Sequence, residues 1–72
     1  MTQEMKNEWI MLFAELVEAA EDCEKRGLKA KAAEYSAQAE GMRTALEIFG
    51  YTVQEQYNEF LKGNELVIVK EG

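Results

Sequence analysis

Histidine and proline are absent from this chain, cysteine and tryptophan occur once each, and eight Lys and Arg face fourteen Asp and Glu. Each shortage closes a route. Without histidine, a Ser, Thr or Cys nucleophile has only lysine or a carboxylate as its base. The Glu-x-x-His pairs of helical di-metal sites cannot be written either. One cysteine forms no intrachain disulfide, and a lone thiol fits a reducing compartment, the cytoplasm. The net charge of −6 disfavours nucleic acids and anionic membranes, which are bound through a cationic face. The longest unbroken apolar run, Trp9 to Ala14, is far shorter than the roughly 20 residues of a membrane span. Glu4 and Glu8 stand where a signal peptide would carry basic and then apolar residues. No glycine-rich phosphate loop and no zinc-ligand spacing occurs, so neither a cofactor nor a metal is expected, and an enzyme is not expected.

What the chain does have is helical periodicity. Its 72 residues make one domain, near the lower limit for a self-sufficient core. From Met5 a seam runs through Trp9, Leu12, Leu16, Ala19 and Cys23, in the alternating steps of four and three that mark one face of a helix turned toward another. A second apolar row, Ile10, Phe13, Val17 and Ala20, lies beside it. Together the rows cover nearly half the helix circumference, more than one neighbouring helix hides. Gly27 ends this helix: it supplies the left-handed residue after a C-cap at Arg26, and Leu28 falls where such caps place an apolar side chain against the last turn, at Cys23. A single helix running through Gly27 is rejected because the seam would then bring Glu40 and Glu47 into its apolar line.

The second helix carries its own seam, Leu28, Ala32, Tyr35, Ala39, Met42, Leu46 and Phe49, and the two matched seams predict an antiparallel helical hairpin. On the opposite side runs a row of small residues containing Gly41, a position that costs helix stability. Gly50 repeats the Gly27 logic. Thr52-Val53-Gln54-Glu55 then reads as a capping box opening a short third helix, with Val53, Tyr57, Phe60 and Leu61 on its apolar side and Gly63-Asn64 as its stop. Leu66-Val67-Ile68-Val69 is β-branched and too short for a helix, so it reads either as a docked tail or as an edge strand seeking another chain. The expectation is an all-α fold with helices at about 3–26, 28–49 and 53–62 and an extended tail at 64–72. Self-association is expected through Ile10, Phe13 and Val17, helped by Tyr57 and Phe60.

Two charged features are candidates for binding. Glu15, Glu18 and Asp22 continue an acidic stripe begun by Glu4 and Glu8. This stripe either solvates the helix or occupies a basic cleft on a partner. As a metal site it is rejected, because exposed helix carboxylates at this spacing are ordinarily just hydrated. Lys25, Arg26, Lys29 and Lys31 crowd around the first turn. An anion such as a nucleotide arriving there would relieve their repulsion, unless Glu21 and Glu24 already neutralise it.

The segment Ala39-Glu40-Gly41-Met42-Arg43-Thr44-Ala45-Leu46-Glu47-Ile48-Phe49-Gly50-Tyr51 resembles one common in small helical proteins of phages and mobile elements. That resemblance implies a stoichiometric inhibitor of a host defence system or regulator, acting by binding or by sequestering a signal, and it carries over no functional residue. The sequence therefore supports a cytoplasmic, non-enzymatic protein that binds a host protein. Its rivals are an oligomer holding a small anionic ligand at the basic tip and a structural assembly subunit.

Overall fold

The computed structural model describes residues 1–71 and contains two helices followed by two strands: α1 Gln3–Lys25, α2 Lys29–Ile48, β1 Tyr51–Asn58 and β2 Gly63–Lys70. The fold is thus α+β and not all-α: residues 53–62 do not form a third helix, and 64–70 are not a free tail.

Local chemistry sets each helix end. Thr2, in extended backbone, caps α1 by accepting the Met5 N–H on Oγ1 at 3.1 Å, which satisfies one of the free amides of the first turn. At the other end Gly27 adopts φ +77°. The Leu28 N–H donates to the Cys23 carbonyl at 2.8 Å and the Gly27 N–H donates to the Glu24 carbonyl at 3.1 Å, the paired bonds of a Schellman cap. The chain reverses at once into α2, whose first turn has no side-chain cap.

The helices meet along a narrow line of small residues. Ala20 and Cys23 of α1 are buried with Ala32, Ala39 and Leu46 of α2, and among the described residues no large side chain is fully buried. On α2 these are alternate members of the expected seam. On α1 the contact line is rotated toward the second row, so that Leu12 and Met5, assigned to the seam, are more than half exposed. The physical reason is size: alanines at 20, 32 and 39 let the helices approach most closely along that line, and the larger residues flank it.

After Gly50 (φ +84°) the chain enters the sheet. Its register pairs Tyr51 with Lys70, Val53 with Ile68 and Asn58 with Gly63, and the Glu71 N–H extends the ladder by donating to the Gly50 carbonyl at 2.7 Å. Thr52 and Glu55 sit in this ladder and form no capping box. The strand prevails for two reasons. Tyr51, Thr52, Val53 and Tyr57 favour a pleated surface, and the Leu66–Val69 run needs a hydrogen-bonded neighbour that a helix at 53–62 would deny it. Asn58 fixes the turn: its Oδ1 accepts the N–H of Phe60 at 2.9 Å and of Leu61 at 3.4 Å. Lys62 follows at φ +51°.

The sheet turns Ile68, which is buried, toward the helices. Its N-terminal strand is tied to α1, because the Met1 ammonium donates to the Tyr51 hydroxyl at 3.1 Å and the Lys6 ammonium lies 5.9 Å from the Tyr51 ring centroid. The result is thin, 39 × 31 × 19 Å, with a radius of gyration of 13.5 Å, where a compact chain of this length would have about 11 Å.

Candidate interaction surfaces

The expected association row is divided between two surroundings. Ile10 is half-buried in a cleft formed with Glu65–Ile68 of β2. Phe13 stacks on Trp9 with ring centroids 4.9 Å apart and planes 13° from parallel. Phe13 and Val17 are half-buried along a groove whose far wall is Ser36, Ala39, Glu40 and Arg43 of α2. The β2 strand and α2 flank this row, so it is not an open face. Tyr57 and Phe60, expected beside it on a third helix, stand instead at the free end of the β-hairpin.

That end carries the most exposed large apolar side chain among the described residues. Phe60 is 99% exposed, Tyr57 67% and Leu61 66%. The turn is held from below by the two Asn58 hydrogen bonds and by the Lys62 N–H donating to the Glu59 carbonyl at 3.3 Å. Phe60 thus holds a large aromatic side chain in water on a turn whose Phe60, Leu61 and Lys62 N–H groups each have an acceptor. The sequence reading named Tyr57 and Phe60 as association residues but set them on a third helix, where the structure has a β-hairpin. The signal for the hairpin was Asn58 followed by a short loop and Gly63, between two β-favouring runs.

A second apolar surface lies along one side of the helical hairpin. Hollows lined by Leu12, Ala19, Tyr35 and Met42, and by Met5, Trp9 and Phe49, follow one another along it. The sequence placed all of these in the inter-helix seam, and nothing in their spacing separated the buried members from the open ones.

Both charged candidates are exposed helix surface. Glu15, Glu18 and Asp22 are all exposed, and the Asp22 carboxylate lies 3.2 Å from Arg26 Nε. Among the described residues no group of three or more His, Cys, Asp or Glu is placed to hold a metal ion. Lys25, Arg26, Lys29 and Lys31 are exposed around the first turn. Arg26 is engaged with Asp22. Lys31 lies 3.6 Å from Glu34 and 5.7 Å from the Tyr35 ring centroid. Two of the four cations thus have an acidic neighbour, Asp22 or Glu34, and neither of these is Glu21 or Glu24. Cys23 is buried, which withholds it from reaction with solutes. Among the described residues no helix is long and apolar enough to cross a membrane. Comparison of the chain with protein-family models, with curated proteins and with solved structures finds no match.

Proposed function

We propose that this chain is a non-enzymatic binding protein that engages another protein with the tip of its β-hairpin, inhibiting or sequestering it. The observation that carries this reading is the exposure of Phe60, 99%, between Tyr57 and Leu61 on a turn braced by Asn58. Aromatic side chains dominate binding energy when they fill a pocket on a partner. A braced turn also leaves little conformational entropy to lose on docking. The partner offers an apolar pocket, and the acidic character of the chain, net −6, favours a basic rim around it. The resemblance of residues 39–51 to phage-type proteins supports a bacterial host protein as that partner, met in the cytoplasm, where a lone buried thiol stays reduced.

A photo-crosslinking amino acid at position 60, compared with one at exposed Gln54 on β1, tests the reading in host cells. The expected result is a discrete adduct from position 60 alone. With the captured protein purified, Phe60→Ser should weaken binding by about thirtyfold or more, the loss of one hot-spot side chain, with an unchanged circular dichroism spectrum. Equal labelling from both positions, or undiminished binding by Phe60→Ser, would sink it.

A further inference from the structure

The hairpin of α1 and α2 buries only one of the two rows that its sequence provides. Ala32, Ala39 and Leu46 recur every seventh residue of α2 and are buried. Tyr35, Met42 and Phe49 recur at the same interval one step around the helix. The first two are half-buried and Phe49 is 77% exposed. On α1 the matching open row is Met5, Leu12 and Ala19, with Met5 at 53% and Leu12 at 54% exposed. Two helices that each carry a buried row and an open apolar row on a shared side form half of a four-helix bundle.

The surface area is large enough to supply the missing contact. The chain exposes 5578 Å², whereas a compact monomer of its size exposes about 4,500 Å². The excess, roughly 1,000 Å² over the whole chain with its projecting β-hairpin, is enough to supply the about 800 Å² that each partner contributes to a standard-sized interface.

Charge selects the arrangement. The α1 row is bordered by Glu8 and Glu15, the α2 row by Lys31 and Gln38. Setting α1 against α1 of another copy would juxtapose two acidic stripes. Setting α1 against α2 places the acidic border beside the neutral and basic one. A two-fold axis makes that contact twice.

We infer that the occupant of this face is a second copy of the chain: two helical hairpins pack about a two-fold axis, α1 of each against α2 of the other, into a four-helix bundle with a β-hairpin projecting from each protomer. This contact is independent of whatever the Phe60 tip engages, so either reading survives failure of the other.

The test is mass by light scattering over a range of concentrations, for the wild type, Leu12→Glu, Met42→Glu and Phe60→Ser. Twice the chain mass is expected for the wild type and for Phe60→Ser. Leu12→Glu and Met42→Glu should each raise the dissociation constant by at least about thirtyfold and run as monomers that keep their helical spectrum. In case a charged substitution unfolds the chain, the unmodified protein supplies a second reading: its thermal midpoint should rise with protein concentration, as it must when association stabilises the native state. A wild type that is monomeric with a concentration-independent midpoint overturns the inference. So does a dimer that persists in both Glu variants, which would assign association to the free sheet edges, and so does a mass above that of two chains.

Discussion

At the scale of single residues, three backbone positions differ in what they tolerate. Gly27 sits at φ +77° in open space, so its constraint is the left-handed backbone and not crowding. Gly27→Val should cost roughly 1 kcal/mol or more, because a β-branched residue resists that conformation, and chemical denaturation would show it. Gly41 is the opposite case. An added Cβ there meets nothing within 4 Å, and the residue lies in the interior of α2, so Gly41→Ala should stabilise the protein by about 1 kcal/mol. The small-residue row around it is solvated helix surface, not a close-packing groove. Lys62 is held at φ +51° without the freedom of glycine. Lys62→Gly should therefore raise stability by roughly 0.5–1 kcal/mol, the steric relief less the added entropy of the unfolded chain. A fall in the thermal midpoint would mean that the lysine side chain does something for the turn that its exposure conceals.

At the scale of elements, the helices were legible and the sheet was not, for identifiable reasons. On α2 every second member of the expected seam, Ala32, Ala39 and Leu46, is buried, while Leu28 and Phe49 at its ends are exposed. The helix was thus legible from periodicity, and its buried line only in part. Residues 51–58 are short, and Thr52-Val53-Gln54-Glu55 satisfies a helix-start pattern as well as a strand pattern. The choice was made elsewhere, by the need of Leu66–Val69 for a ladder partner, a non-local condition that no local window contains. The open and buried members of the α1 seam were indistinguishable for a similar reason: the rotation of the contact line is set by alanines on the other helix. The strands depend on the helices in turn, since a two-stranded hairpin is marginal in water. A peptide of residues 50–71 should give a disordered circular dichroism spectrum. Residues 1–50 should remain helical but melt at a lower temperature than the whole chain, having lost the cover of Ile68 and the tether from Met1 and Lys6 to Tyr51. An independently folded 50–71 peptide would show that the sheet is not held by the helices.

At the scale of the whole molecule, acidity opposes compactness. Glu4, Glu8, Glu15, Glu18 and Asp22 lie along one side of α1. By helix geometry the stripe from residue 4 to 22 spans about 27 Å. Of these, Asp22 is offset by the contact with Arg26, an exposed pair worth little. At about 0.01 M ionic strength the Debye length is near 30 Å, so every carboxylate of the stripe feels the others. At about 0.15 M it is near 8 Å and only adjacent ones still repel. Added salt should accordingly raise the thermal midpoint at fixed protein concentration by a few degrees, about 4–8 °C for each kcal/mol of repulsion removed. Association of two such chains doubles the net charge, so salt should tighten the dimer in the same direction. Reversing Glu15 and Glu18 to Lys brings the net charge from −6 to about −2, four units less negative, and places cations among the remaining carboxylates. The salt dependence of both the midpoint and the dissociation constant should then flatten. A midpoint that falls as salt is added to the wild type would show that the ion pairs of Arg26, of Lys31 and of Arg43, which lies 3.6 Å from the Glu40 carboxylate, outweigh the stripe, and the acidic side of α1 would have to be regarded as a stabilising network and not as a strained one.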